Sequence, residues 1–152
     1  NHNSIATALP GICRRTDKPA AALVKDLKQR GLLDSTIVHW GGEIGRLPVT
    51  QSNANPKKAG RDHNGQGFSI WLAGGGIKPG MTYGETDEVG HRAVTNIVTP
   101  NDYQATLLHL FGLDHKQLEF FFNGQKQIIT NNRPAKVVAD VLERPVQAAT
   151  GV

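Results

Sequence analysis

Residues 37–46 read IVHWGGEIGR, an apolar run that stops at two glycines and then presents a carboxylate and a guanidinium three residues apart. Residues 35–40 are rich in β-branched and aromatic side chains, which predicts a strand. Glu43 would then follow the end of a strand, where ligands of open α/β sheets are usually bound. This position favours a binding or catalytic role for Glu43, and a solvated turn after the strand is the alternative.

Composition limits the function classes that need to be considered. The 152 residues suit one domain, and the 17 Lys and Arg that give a net charge of +4 are scattered along the chain. The densest basic group, residues 57–61, lacks interleaved aromatic residues, so we expect no nucleic-acid binding. We expect no membrane span, because no apolar run approaches the roughly 18 residues required. The single cysteine, Cys13, excludes an internal disulfide and a Cys-rich zinc site.

Local signals predict an alternation of helices and strands. Residues 17–30 predict a helix with Asp17 as its cap, Pro19 in its first turn and Gly31 after its end. FSIWLA (68–73) predicts a second strand, buried on both faces. The polar stretch 41–67 between the two strands predicts a long loop, and loops of that length are usually functional. The glycines at 74–76 favour a turn over a phosphate-binding loop, because the P-loop and dinucleotide fingerprints are both absent.

The second half of the chain is predicted to contain a helix, a hairpin and a last helix. The first begins at Pro100 or Asn101 and ends at Gly112. Its predicted apolar face consists of Tyr103, Leu107, Leu108 and Phe111. The pair at 123–124, Asn-Gly, predicts a hairpin between residues 119–122 and 127–130. Residues 135–142 predict the last helix, followed by a frayed tail. This order of elements fits an α/β layered fold whose first strands are missing.

Among the six histidines, His63 stands out because it lies in the glycine-lined segment GRDHNGQG just before the second strand. His39, His109 and His115 lie in or next to predicted elements, and we expect them to be structural. Carboxylate and imidazole together suit a divalent metal, and Arg46 is close enough to Glu43 to orient an anion. Two such ligands alone are a weak signal, because Glu–Arg pairs near strand ends are common and Asp62-His63 can form a simple loop hydrogen bond.

Three long blocks resemble one known group of proteins. They are LVKDLKQRGLLDSTIVHWGGEIGRLP (23–48), GRDHNGQGFSIWLAGGGIKPGMTYGETDE (60–88) and NDYQATLLHLFGLDHKQLEFFFNGQ (101–125). They are similar to the C-terminal half of a sulfatase-like family of unknown function within the alkaline phosphatase and sulfatase superfamily. The similarity extends from His2 to about Leu142.

The resemblance implies part of a three-layer α/β/α sandwich with a small C-terminal hairpin, formed by residues 1–145 and followed by a tail at 146–152. It implies a metallohydrolase that cleaves a sulfate or phosphate ester, such as a sulfated sugar, with one or two divalent cations. Calcium, magnesium and zinc are not distinguished. The metal ligands would be Glu43, His63 and His2, and the anion-orienting groups would be Arg46 and Arg61.

The same resemblance also indicates departures from a complete site. Ile44 stands where the superfamily places a metal-binding histidine, and Ser4, Thr50 and Ser52 do not match its nucleophile block. We therefore expect the nucleophile and a first metal-binding aspartate in an N-terminal part of the same polypeptide, which would also be the main partner of this segment. The isolated segment is expected to be inactive and the whole protein to be exported. The alternative is a catalytically degenerate domain kept for binding or assembly.

Overall fold

The computed structural model describes residues 2–51, 55–130 and 133–144. The chain divides into two units, one made of residues 1–75 and 82–97 and the other of residues 76–81 and 98–152. Helices and short antiparallel two-stranded sheets occur together, so the predicted mixture of helix and strand is confirmed at that level. The predicted tail at 146–152 lies outside the described residues.

The first unit begins with a long helix, α1 (Ile5–Gln29), and the prediction that this helix starts at Asp17 is wrong. Pro10 and Pro19 lie inside the helix. The start is fixed by distant backbone, because the N–H groups of Ser4 and Ile5 donate to the carbonyls of Lys58 and Ala59 at 3.1 and 3.0 Å. These bonds satisfy donors that a helix N-terminus otherwise leaves unpaired.

The end of α1 is the one that its sequence predicts. Gly31 adopts a left-handed conformation with φ of 69°. Its N–H donates to the Lys28 carbonyl, and the N–H of Leu32 donates to the Leu27 carbonyl at 2.9 Å. Paired bonds of this kind after a glycine terminate helices.

The two predicted strands of the first unit form one antiparallel pair, β1 (Val38–Trp40) and β4 (Trp71–Ala73). Trp40 lies opposite Trp71, and the two rings stack with centroids 6.1 Å apart. The expectation that residues 68–73 are buried on both faces is wrong, because Trp71 is 40% and Phe68 is 49% exposed. Because Trp40 is the last residue of β1 and Trp71 is the first of β4, the end of β1 lies next to the start of β4.

The polar segment between these strands is partly ordered into a second pair. β2 (Gly45–Arg46) and β3 (His63–Asn64) run antiparallel, and β5 (Glu85–Thr86) pairs with β6 (Ala93–Thr95) farther along the chain. The glycines at 74–76 form the predicted turn after β4, and all three have left-handed φ values.

Apolar side chains in the first unit are poorly covered. Among its described residues only Gly45, Gly60 and Asn64 are buried, so no hydrophobic side chain there reaches a fully buried state. Folded domains are stabilised chiefly by removing apolar surface from water. The described part of this unit therefore lacks a buried hydrophobic core of its own.

The second unit has a small core around helix α2 (Pro100–Leu110), whose predicted start and end are confirmed. The Thr99 hydroxyl accepts the backbone N–H of Asp102, and the Asp102 carboxylate accepts the backbone N–H of Thr99, which together form a capping box. The predicted apolar face is only partly buried. Tyr103, Leu107 and Leu108 are half-buried and Phe111 is 67% exposed, whereas the buried residues of α2 are Asp102, Ala105 and Thr106.

The predicted helix over 135–142 is also wrong. Only a short 3-10 turn, Ala139–Val141, is present. The physical reason is that backbone donors of this stretch bond to α2 side chains: Lys136 N–H to Asp102 at 2.9 Å and Val138 N–H to the Thr106 hydroxyl at 3.0 Å. These tertiary bonds hold the stretch against α2 in a non-helical conformation, with φ of −81° and ψ of 85° at Val138.

These bonds also tune the ionisation of Asp102. Burial raises the pKa of its carboxyl, but hydrogen bonds from Thr99 and from Lys136 N–H outweigh burial and leave the pKa below its ordinary value of 3.8. Ile77, Val138 and Leu142 complete the buried apolar set of this unit with Ala105.

The C-terminal hairpin is present as predicted. It consists of β7 (Glu119–Phe122) and β8 (Gln125–Ile128), the second strand starting two residues earlier than expected. Asn123 and Gly124 both have positive φ, at 49° and 74°, as the turn requires. Within the described residues, neither helix is long and apolar enough to cross a bilayer.

Candidate metal centre

The β2–β3 ladder sets the geometry of the site. Its register places Arg46 directly opposite His63, so the two residues are neighbours across the strands. A further backbone bond, from Leu47 N–H to the Asp62 carbonyl at 2.9 Å, extends the pairing by one residue. The turn at 41–44 carries Glu43 alongside both residues.

His2 reaches the same place from the far end of the sequence. The strand-like bonds that start α1 hold its backbone against the segment 58–60, and Gln51 N–H donates to the Gly60 carbonyl at 2.8 Å. Gly60 has to be glycine here, because an added Cβ would lie 2.0 Å from the His2 carbonyl oxygen. The rings of His2 and His63 meet edge to face with centroids 4.6 Å apart.

Asp62 lies between the two imidazoles. One of its carboxylate oxygens, Oδ1, is 3.7 Å from Nδ1 of His2 and 3.7 Å from Nδ1 of His63. The same oxygen accepts the backbone N–H of His63 at 2.8 Å, which fixes the carboxylate in place. One potential ligand atom each from His2, Asp62 and His63 lies within 4.8 Å of the others.

Glu43 contacts this group from its outer side. Its Oε1 accepts a bond from Arg46 Nη2 at 2.8 Å and lies 3.1 Å from Nε2 of His63. The pKa of the Glu43 carboxyl is lowered, first by a bond from its own backbone N–H and then by the bond with the His63 side chain. An ionised carboxylate only accepts hydrogen bonds, so Nε2 of His63 carries a proton and its Nδ1 is left to face Asp62 when the ring is neutral.

Hydrogen bonding also fixes the tautomer of His2. Arg46 Nη1 lies 2.9 Å from His2 Nε2, and a guanidinium has no acceptor, so Nε2 accepts this bond. The proton of the neutral ring is then on Nδ1, where the Gln51 Oε1 lies at 2.9 Å. A cation must compete with Arg46 or Gln51 for this ring, whereas the Nδ1 of His63 meets no such donor among the bonds of the site.

The three side chains are chemically suitable ligands for a divalent cation, and their ligand atoms lie close to the spacing that one ion requires. Two imidazoles and a carboxylate are common donors for zinc and similar borderline ions. Ligand atoms at about 2.0–2.2 Å from one tetrahedrally coordinated ion lie about 3.3–3.6 Å apart. The three observed atoms lie within 4.8 Å of one another, so binding one ion requires an inward movement of up to about 1 Å. His2 and Asp62 are half-buried and His63 is exposed.

The remaining predicted residues lie at the edge of the cluster or outside it. Arg61 donates from Nη1 to the Leu47 carbonyl at 3.0 Å and so braces the β2–β3 pair. The side chain of Ile44 points toward Gly65, its Cδ1 lying 3.8 Å from where a Cβ of that residue would be. Of the hydroxyl candidates, Ser52 lies outside the described residues.

Sequence reasoning brought together His2, Glu43, Arg46 and His63, and the structure places these four side chains in one hydrogen-bonded group. Asp62 was expected only to form a loop hydrogen bond with His63; that bond is present, and the same carboxylate also lies next to both imidazoles. The available signal was the Asp-His pair itself, since adjacent carboxylate and imidazole residues in a glycine-lined loop supply two donors at once. Gln51 had no local signal.

The family described as "Protein of unknown function (DUF1501)" has a model that matches residues 1–142. The match extends over nearly the whole chain, and the chain belongs to this family. Comparison with curated proteins and with solved structures gave no match.

Proposed function

We propose that this member of the DUF1501 family forms part of the divalent-metal centre of a sulfatase-like hydrolase that cleaves an anionic ester. The observation that carries the proposal is the convergence of ligand atoms from His2, Asp62 and His63 within 4.8 Å. The three residues come from two distant parts of the sequence, and the backbone bonds described above hold both parts in register. The resemblance to the alkaline phosphatase and sulfatase superfamily supports the reaction class.

The bound cation would act as a Lewis acid on an ester oxygen. His2, Asp62 and His63 would hold it, with Asp62 bridging the space between the two rings. Zinc or a similar borderline ion suits two imidazoles and one carboxylate better than calcium, which prefers an all-oxygen shell.

Arg46 would orient the anionic part of the substrate. Its guanidinium lies beside the cluster, bonded to His2 and Glu43, and a guanidinium matches the geometry of sulfate and phosphate oxygens. Arg61 is bonded to a backbone carbonyl and would contribute positive charge more than a direct contact. A small ester, for example of a sulfated sugar, fits this surface charge.

The proposal assigns the nucleophile to the remainder of the polypeptide, as the resemblance implies. The uncovered apolar residues of the first unit support such a partner, because a second layer packed on them would supply the burial that this unit lacks. The complete domain would then be the three-layer α/β/α sandwich of the superfamily, in an exported protein.

Metal binding by the full-length protein tests the proposal. We expect isothermal titration calorimetry with Zn²⁺ or Mn²⁺ to show one site, and His2→Ala, Asp62→Ala and His63→Ala each to weaken it by about 10-fold or more. His91→Ala is the matched control, since His91 is an exposed histidine of the same unit outside the cluster. Wild-type Zn²⁺ or Mn²⁺ affinity in all four variants would refute the site.

A catalytically degenerate domain is the second candidate, favoured by Ile44 at the position where the superfamily has a metal-binding histidine. Turnover of p-nitrophenyl sulfate and p-nitrophenyl phosphate by the metal-loaded protein distinguishes an active hydrolase from a degenerate domain. Metal binding with no hydrolysis of either ester, or of sulfated sugars, supports the degenerate domain.

A further inference from the structure

We propose that Glu43 is a positioning residue that holds His63 in its metal-binding orientation, in place of the ligand role that the sequence predicts for it. The inference rests on the proposed function for its metal. In a metal-binding histidine, the hydrogen bond made by the nitrogen that does not bind the metal determines the tautomer and the orientation of the ring.

The contacts of His63 separate its two nitrogens by role. Nε2 lies 3.1 Å from the Glu43 carboxylate, and Nδ1 lies 3.7 Å from Asp62 Oδ1, on the side of the cluster. Because the carboxylate accepts the Nε2 proton, Nδ1 of the neutral ring keeps its lone pair. That lone pair is the one that a cation next to Asp62 requires.

Glu43, whose side chain is 64% exposed, is held by a second contact besides His63. Arg46 donates to the same oxygen, Oε1, at 2.8 Å, and Arg46 faces His63 across the β2–β3 ladder. Glu43 therefore links the side chains of Arg46 and His63, which are neighbours across the ladder. Glu43 stands outside the group of ligand atoms that converge.

His63 needs such support because it is exposed. Its side chain is 46% accessible, so packing alone leaves the ring free to rotate and to exchange tautomers. Carboxylates that accept the second N–H of a metal-binding histidine fix both properties, and their loss typically costs about 10–100-fold in metal affinity.

The test compares Glu43→Gln with Glu43→Ala in the full-length protein. The Gln side chain keeps an oxygen that accepts the His63 proton, so we expect its Zn²⁺ affinity to stay within about 3-fold of wild type, while Glu43→Ala loses about 10–100-fold. Glu85→Ala is the control for removing one exposed carboxylate from the same unit, and we expect it to bind as wild type does. Equal, large losses in both Glu43 variants would show that Glu43 is a ligand and overturn the inference.

A second measurement needs no metal. Nitrogen-15 shifts of the His63 ring in the metal-free protein report its tautomer directly. We expect the Nε2–H form in wild type and Glu43→Gln, and a mixture in Glu43→Ala. A single unchanged tautomer in Glu43→Ala overturns the inference. Absence of Zn²⁺ binding in the wild type, together with the expected tautomer shift, would reject the proposed function and leave the positioning role intact.

Discussion

Replacing Gly60 by alanine is the most direct way to separate the two halves of the proposed metal centre. The added Cβ would lie 2.0 Å from the carbonyl oxygen of His2, 2.1 Å from its carbonyl carbon and 2.5 Å from the backbone nitrogen of Asn3. All three are backbone atoms, so no side-chain rotation relieves the overlap. The chain that carries His2 must move away from segment 58–60.

The size of that movement follows from the distances. Real Cβ atoms essentially never approach other heavy atoms closer than 3.0 Å, so the His2 carbonyl must retreat by at least 1.0 Å, the difference between 3.0 and 2.0 Å. Metal–ligand distances tolerate only about 0.2 Å of error. A shift of this size removes His2 from the site while leaving Asp62 and His63 on their own ladder. We expect the Zn²⁺ affinity to fall by about 10–100-fold.

Calorimetric Zn²⁺ titration of the folded protein measures the effect, with circular dichroism confirming that secondary structure is retained. Gly65→Ala is the matched control, because an added Cβ there meets only Ile44 Cδ1 at 3.8 Å, an ordinary contact. The double variant Gly60→Ala/His2→Ala should bind no more weakly than His2→Ala alone, since both changes remove one ligand. Wild-type affinity in folded Gly60→Ala, or full additivity in the double variant, would refute this reasoning.

Other consequences of the structure can be measured separately. Asp102→Ala orphans three donors of the capping box and of segment 133–138, so we expect it to lower the free energy of unfolding by about 2–4 kcal/mol in urea titrations. Because the pKa of Asp102 lies below 3.8 in the folded protein, its contribution is present above pH 3.8 and is lost as pH falls through the folded pKa; Asp102→Asn should flatten that acid limb of the stability curve. Sulfate, compared with chloride at equal ionic strength, should raise the Zn²⁺ affinity by drawing Arg46 away from Nε2 of His2, and Arg46→Ala should abolish this dependence. Gly124→Ala forces a left-handed conformation on alanine and should destabilise the hairpin by about 1–2 kcal/mol, seen as faster amide exchange across it.

Elements whose signals are local were predictable from the sequence. The end of α1 at Gly31, the start of α2 near Pro100 and the turn at Asn123-Gly124 all occur where the sequence places them. Each depends on the conformational preference of one or two residues, which acts wherever the segment lies in the fold. The grouping of Glu43 with Arg46 is local in the same sense.

What the tertiary structure decided is everything that depends on backbone groups finding partners far along the chain. α1 starts at Ile5, where segment 58–59 accepts its first donors, and residues 135–138 are held against α2 in a non-helical conformation by bonds to Asp102 and Thr106. The meeting of His2 with Asp62 and His63 arises in the same way, and no spacing in the sequence contains it. Local propensity acts over a few residues, whereas these bonds form only after distant segments have met. The local sequence therefore does not predict them.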